Sequence, residues 1–201
     1  MKTTKKTPEI IVPEDSKPYN GRPICISGPP GVGKSVIGRR VAEKMGIPFY
    51  DIDDLIVQKV GVKTTKEVTE NYGRPYFWEV EHICLKEIFK RKSGRYIFAL
   101  NGGVNCRSDN PDLTEKNKAL IRKYTFNICL IPSPKLDESV SILWPRQEDG
   151  KRKTIYESPK GLKSYLKERT SRYISEADRI IFTYHATIEK VITTVLELLN
   201  Q

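Results

Sequence analysis

A glycine-rich bend that ends in Lys-Ser is the first feature of the chain whose residue types could do chemistry. In "ICISGPPGVGKS", Gly28, Gly33, Lys34 and Ser35 fit the pattern G-x-x-x-x-G-K-[ST]. Glycines let backbone N–H groups turn toward phosphate oxygens, the lysine can reach the β and γ phosphates, and the serine hydroxyl can ligate Mg²⁺. The pattern predicts an ATP or GTP site, contacted by Gly28, Gly31, Val32, Gly33, Lys34, Ser35 and Val36.

Two carboxylates follow in "YDIDDLI", where Asp51 and Asp53 stand two residues apart at a strand tip. This spacing places both side chains on one face of the strand. One carboxylate could hold Mg²⁺ through water while the other accepts a proton from an attacking hydroxyl. The alternative is the solvated start of a helix, with Asp53 or Asp54 as its cap.

A Gly-Gly turn in "LNGGVN" comes directly after a third apolar run. Open α/β sheets bind ligands at the carboxyl ends of their strands, which is where this turn is expected. Gly102 and Gly103 would therefore let a small molecule touch the backbone.

The elements that must position these residues alternate between short apolar runs and longer amphipathic ones. This order is typical of an α/β protein with a parallel sheet and crossover helices. Five strands are predicted, in "PICIS", "PFYDID", "YIFAL", "FNICLIP" and "RIIFTY". A polar helical region is expected from Asp53 to about Arg91, and a helix capped by Asn110 before Pro111. The basic, aperiodic stretch at 144–160 is predicted to be a loop.

Length and composition indicate one domain at 23–201, preceded by a flexible leader at 1–22 that could alternatively be a docking arm or a weak organellar address. No apolar run approaches a membrane span. The net charge of +10 comes without a nucleic-acid-binding motif and fits phosphorylated ligands. The four cysteines have no paired spacing, so we expect reduced, buried thiols in the cytoplasm and no zinc site.

From about Pro23 to the C-terminus the chain resembles the shikimate kinase family. The resemblance rests on "GPPGVGKSVIGRRVAEKMGIPFYDID", "ENYGRPYFWEVE", "NGGV" and "ERTSRYISEAD", in family order and spacing. It implies a P-loop kinase fold: a five-stranded parallel sheet flanked by helices, a substrate-binding helical region, and a lid at about 144–160. It also implies that ATP and Mg²⁺ are used to phosphorylate a ring hydroxyl of shikimate, as a step of aromatic amino acid biosynthesis.

The resemblance also implies roles for individual residues. It puts Asp51 near Mg²⁺, makes Asp53 the acceptor-binding residue and base, and gives Gly102 and Gly103 to the acceptor turn. Three arginines complete the set: Arg152 would reach the transferring phosphate, Arg169 would pair with the acceptor carboxylate, and Arg146 lies near the adenine-stacking position.

Two departures from the family pattern fall in the acceptor pocket. Trp78 stands where the family has a second carboxylate-binding arginine, while Glu81 is retained, and Asn101 replaces the first of three glycines. Tryptophan cannot form the paired hydrogen bonds that a guanidinium makes to a carboxylate. Either Arg74 supplies the missing guanidinium, or Trp78 covers a face of a different polyol, or Trp78 is a packing residue.

The leading hypothesis is therefore an ATP-dependent kinase that converts shikimate to shikimate 3-phosphate or acts on a related hydroxylated ring. One alternative is a catalytically weak, nucleotide-binding relative that acts through protein partners. Another is a nucleotide kinase or gluconate-type kinase, which shares the phosphate loop but does not predict the paired aspartates with "NGGV". For the leading hypothesis we expect a monomer whose partners are ATP and a small-molecule acceptor, with Trp78 contacting the acceptor.

Overall fold

The computed structural model describes residues 7–16, 18–90, 94–148, 156 and 158–200. Arg152 and most of the loop predicted around it lie outside these ranges.

One mixed sheet forms the centre of the described chain. Its strands, in chain order, are β1 (Glu9–Ile11), β2 (Ile24–Ser27), β3 (Phe49–Asp51), β4 (Ile97–Ala99), β5 (Phe126–Ile131) and β6 (Arg179–Phe182). They lie side by side in the order β1-β6-β5-β2-β4-β3, and all neighbours from β6 to β3 are parallel. The five predicted parallel strands are confirmed, and β2 lies at their centre.

The sixth strand was not predicted. β1 lies within the segment 1–22 for which a flexible leader was expected, and it pairs antiparallel with β6 through Glu9 opposite Phe182 and Ile11 opposite Ile180. The free edge of β6 offers unpaired N–H and C=O groups, which a short apolar run such as "EII" can satisfy. This part of the segment is therefore a strand of the sheet.

Seven helices surround the sheet in the described chain. They are α1 (Lys34–Met45), α2 (Ile52–Val60), α3 (Thr65–Lys90), α4 (Pro111–Tyr124), α5 (Leu136–Glu148), α6 (Pro159–Ser175) and α7 (Ile188–Leu199). The predicted cap is confirmed, because the Asn110 side chain accepts a hydrogen bond from the Leu113 N–H at 3.3 Å. No described helix is long and apolar enough to cross a membrane.

Helix α5 continues past the predicted start of the loop at Trp144 and includes Pro145. The residues Val140, Leu143 and Trp144 all pack against one core cluster, and their spacing is that of one helix face. Core packing thus carries the helix through the proline. The remaining connection between α5 and α6 is shorter than predicted.

The two faces of the sheet bury separate apolar clusters. Ile24 and Ile26 of β2 pack in the cluster that includes residues of α1 and α7, while Cys25 between them packs in the cluster formed with α2 and α3. This alternation is the one expected for a strand covered on both faces.

Helix α3 is broken at Gly73, whose φ of 83° and ψ of 165° are not helical. The predicted polar helical region is therefore two helices, the second of them kinked. The part of α3 after the kink carries Trp78 and Glu81.

Candidate active site

The glycine-rich bend connects the end of β2 to the first residue of α1, as predicted. Gly28, Gly31 and Gly33 have φ values of 128°, 81° and 105°, a region that side chains rarely adopt. A Cβ atom on Gly28 would lie 2.2 Å from the Leu130 carbonyl oxygen of β5. Only glycine fits there, so the loop can start directly above the sheet and turn its N–H groups toward a ligand.

Lys34, the first residue of α1, lies beneath this loop with 9% of its surface exposed. Its ammonium group donates hydrogen bonds to the carbonyls of Gly28 and Pro29, each at 3.0 Å. The charge is thus held inside the bend, beside the N-terminal end of a helix whose dipole also attracts anions. Phosphate bound in this loop would meet both.

A cavity of about 280 Å³ adjoins the loop. It is lined by Gly31, Val32, Gly33, Val36, Ile37, Arg146, Thr183, Ala186, Ile188 and Val191. The Arg146 guanidinium donates to the Gly31 carbonyl at 3.2 Å, although the residue itself is exposed. The cavity thus contains five of the residues predicted to bind nucleotide. Its other lining residues are mostly apolar, which suits a flat ring.

Asp51 ends β3 and caps α2, because its carboxylate accepts a hydrogen bond from the Asp53 N–H at 3.0 Å. The cap is therefore Asp51, not Asp53 or Asp54. Asp53 lies half-buried in the first turn of α2, whereas Asp54 is exposed and 4.0 Å from Arg39.

The turn that contains Gly102 and Gly103 packs against the phosphate-binding loop. A Cβ atom on Gly102 would lie 2.7 Å from the Pro30 ring and 2.9 Å from the Tyr165 hydroxyl. The Gly102 carbonyl accepts hydrogen bonds from the hydroxyls of Tyr165, at 2.5 Å, and Tyr173. Helix α6 therefore fixes this turn through Tyr165 and Tyr173, and Gly102 has no room for a side chain.

Glu81 lies fully buried beside the same turn. It accepts a hydrogen bond from the Asn101 side-chain amide and forms an ion pair of 2.7 Å with Arg107. Asn101 in turn accepts from the Gly103 N–H at 3.0 Å. Burial raises the pKa of Glu81 to about 7, although Arg107 opposes this shift and nearby Asp53 adds to it. Asn101 thus connects the turn to α3, a role a glycine could not fill.

Arg107 is the residue of this site that the sequence analysis missed. Its guanidinium carbon lies 5.1 Å from the centroid of the Trp78 ring, whereas Arg74, one of the three alternatives that the sequence left open, is exposed on α3. The sequence did carry a signal, since Arg107 follows the glycine turn closely in "NGGVNCRS". Its direction could not be known without the fold.

Arg169 of α6, the residue predicted to pair with the acceptor carboxylate, has 17% of its side chain exposed. Its guanidinium carbon lies 4.5 Å from the centroid of the Tyr165 ring, whose hydroxyl holds Gly102. The Arg169 Nε atom is buried and makes no hydrogen bond among the described residues.

Ser35 and Asp51 are the residues predicted to hold Mg²⁺. Asp51 ends β3, and Ser35 follows the loop after β2. These strands run parallel on either side of β4, so both residues lie at the carboxyl ends of the strands. No described cluster of three or more His, Cys, Asp or Glu side chains could bind a metal ion by itself. A hydroxyl and a carboxylate suit Mg²⁺ when phosphate and water supply the other ligands.

Comparison with known proteins agrees with this arrangement. A family model described as shikimate kinase matches residues 30–200. A shikimate kinase from Geobacter sulfurreducens is 27% identical over 183 residues, which cover 90% of this chain and 92% of that protein. The structure of shikimate kinase from Acinetobacter baumannii in complex with shikimate has a TM-score of 0.75 at 24% identity, over 89% of this chain and 93% of that one.

A third similar protein is the shikimate kinase from Bacteroides thetaiotaomicron, whose structure has a TM-score of 0.70 at 23% identity over 90% of this chain and 99% of that one. These structures share the fold of the described chain. Because the family model spans most of the sequence, the chain belongs to the shikimate kinase family and is an ATP-dependent small-molecule kinase that uses Mg²⁺.

Proposed function

We propose that the chain transfers the γ-phosphoryl group of ATP to a ring hydroxyl of shikimate, giving shikimate 3-phosphate and ADP. The observation that carries this proposal is the contact between Gly102 and Pro30. An acceptor bound on the glycine turn would lie beside the end of the triphosphate, within the short distance that in-line phosphoryl transfer requires.

On the nucleotide side, the loop N–H groups and Lys34 would bind the β and γ phosphates. Ser35, and through water Asp51, would hold Mg²⁺, and the bound ion would neutralise charge on the transferring group. Arg146 and the apolar residues of the adjoining cavity would hold the adenine ring. Arg152, outside the described residues, is proposed to reach the transferring phosphate from the lid.

On the acceptor side, Asp53 would orient the attacking hydroxyl. As the hydroxyl oxygen bonds to the γ-phosphorus and the bond to the ADP oxygen breaks, the proton passes to the Asp53 carboxylate. Asp53 suits this role because it lies half-buried in the first turn of α2, directly after the carboxyl end of β3. The Gly102 and Gly103 backbone and the Arg169 guanidinium would bind the rest of the acceptor, with Trp78 against it.

The test is release of ADP from Mg²⁺-ATP in the presence of shikimate, compared with gluconate, nucleosides and no acceptor. Asp53→Asn should reduce kcat with shikimate by roughly a hundredfold or more, because general-base assistance is lost, while the KM for ATP changes little. Asp54→Asn is the matched control, being exposed on the same helix, and should behave as the parent protein. Equal ADP release with and without shikimate would refute the proposal and favour the weakly catalytic alternative.

We also propose that the protein acts as a monomer in the cytoplasm. All four cysteines are free and buried, as expected for a reducing compartment. Light scattering at assay concentration should give the mass of one chain.

A further inference from the structure

We infer that Arg107 is a specificity-determining residue that binds the carboxylate of the acceptor together with Arg169. This role rests on the proposed function and deepens it. It assigns the second guanidinium of the acceptor site to the loop after β4. The sequence had directed attention to positions 78 and 74 of α3 instead.

The position of Arg107 supports this role. A Cβ atom on Gly103 would lie 3.0 Å from Arg107 Nη2, so the guanidinium lies directly against the acceptor turn. The same nitrogen is 2.7 Å from Glu81, which holds the guanidinium in place. Asn101 connects Glu81 to Gly103, so the arginine and the turn are held by one network.

The other terminal nitrogen of Arg107 is the observation that points to a ligand. The residue is 5% exposed, and Nη1 is buried without a hydrogen-bond partner among the described residues. A buried charged donor without an acceptor is costly, and native proteins keep such groups where something binds them. Arg169 Nε is in the same condition, so the acceptor region contains two guanidinium groups with unused donors.

Glu81 does not remove this excess of positive charge. It lies 2.7 Å from Arg107, whereas Arg169 is only within 4.0 Å of the half-exposed Glu168, so one carboxylate faces two guanidinium groups in the buried part of the site. One ionised acceptor carboxylate would balance the remaining charge and accept the unused N–H groups in paired geometry.

Arg107 also lines a second cavity of about 300 Å³, together with Ser108, Pro111, Thr114, Glu115, Lys118 and Arg172. The other cations there are already paired. Lys118 lies 2.7 Å from Glu115 and 3.7 Å from Glu176, and Arg172 lies 3.6 Å from Glu168. Apart from Arg107 itself, the cations of this cavity are thus paired with carboxylates, which makes it the weaker place for an anion.

Because Nη1 is sealed from solvent in this structure, the carboxylate can reach it only if a covering side chain moves. We take the partly buried Trp78 ring, whose centroid lies 5.1 Å from the guanidinium carbon, as the cover that turns outward. Binding of shikimate should then change the fluorescence of Trp78 in a Trp144→Phe background.

The test compares shikimate with its methyl ester, which has the same ring and hydroxyls but no charge. In the parent protein the acid should have the lower KM. Arg107→Gln should raise the KM for shikimate roughly thirtyfold or more, as expected when one partner of a buried charge pair is removed. The KM for the ester should change little. The KM of Arg107→Lys for shikimate should lie between those of the parent and Arg107→Gln. Arg172→Gln, at the second cavity, should keep the parent's preference for the acid over the ester.

The double variant Trp78→Arg/Arg107→Gln returns a guanidinium to the site from α3 and should recover part of the preference for the acid. Trp78→Arg alone should increase the preference for the acid by less, because Arg107 already occupies the position beside the carboxylate. An equal loss for acid and ester in Arg107→Gln would show that Arg107 only supports Glu81, and would overturn the inference. Loss of the preference for the acid in Arg172→Gln would also overturn the inference.

Failure of the proposed function is distinguishable from failure of this role. If the parent protein does not phosphorylate shikimate, calorimetric titration of shikimate into protein with Mg²⁺-ADP still measures binding. The carboxylate site would be supported, even without the reaction, by two results together. The acid should bind more tightly than the ester, and Arg107→Gln should weaken binding of the acid. Equal binding of acid and ester, or no binding of either, would overturn it.

Discussion

Gly102, in the turn after β4, packs against the ring of Pro30 in the phosphate-binding loop, where a Cβ atom would lie 2.7 Å from two ring carbons. The backbone of the turn thus contacts a side chain of the phosphate-binding loop, far away in the sequence. The separation of the proposed acceptor and nucleotide subsites is set by this contact, and any atom added there must push them apart.

Gly102→Ala should therefore lower both stability and turnover. The Pro30 ring cannot rotate away, and the Tyr165 hydroxyl is held by its own hydrogen bonds. Overpacking of this kind costs about 1–3 kcal/mol in the free energy of unfolding. Gly94→Ala is the control, because a Cβ atom there meets nothing within 4 Å. Urea unfolding and kcat measured on both variants check this, and similar behaviour of the two would contradict it.

Lys34→Ala should reduce kcat by roughly a hundredfold or more, because the charge that opposes the transferring phosphate is removed. The loop should also loosen, since the ammonium group holds the Gly28 and Pro29 carbonyls. Lys44→Ala, exposed on the same helix, should leave both properties unchanged. Steady-state kinetics with circular dichroism as a check of folding would decide, and an active Lys34→Ala would exclude the loop as the phosphate site.

The pKa of Glu81 predicts a pH dependence of stability. Burial raises this pKa from 4.5 to about 7, so between these pH values the folded chain binds more protons than the unfolded chain. The free energy of unfolding should hence fall as the pH rises through this interval, by up to about 3 kcal/mol.

Glu81→Gln should remove that part of the pH dependence, whereas Glu79→Gln, exposed on the same helix, should retain it. Urea unfolding at several pH values from 4.5 to 8 measures the difference. Parallel curves for parent and Glu81→Gln would mean that the ion pair with Arg107 keeps the carboxyl pKa near its ordinary value.

The four thiols should resist alkylation in the folded protein. All are buried, and burial raises the pKa of Cys84 to about 11 and of Cys129 to about 12, with Cys25 and Cys106 also raised. Thiolate is the reactive form, and at pH 8 a thiol with a pKa of 11 is ionised only to about one part in a thousand. Mass spectrometry after iodoacetamide should show modification only with denaturant present. Rapid labelling of one native cysteine would contradict this.

The sequence by itself determined the features that depend on neighbouring residues. The phosphate-binding loop is of this kind, because three glycines in six residues permit its positive φ values and the apolar run before it can only be a central strand. The cap at Asn110 and the positions of the five predicted strands are local in the same sense, since each is set by residue type and periodicity over a few positions.

The tertiary structure alone decided what lies beside Trp78. Arg74 is nearer in sequence, but the helical path of α3 leaves it exposed, whereas the turn after β4 carries Arg107 to Glu81 and to the Trp78 ring. The antiparallel pairing of β1 with β6 was equally hidden. Both depend on contacts between distant segments. The burial and charge pairing that stabilise these contacts exist only once the sheet has formed, so they leave no periodic signal in the sequence.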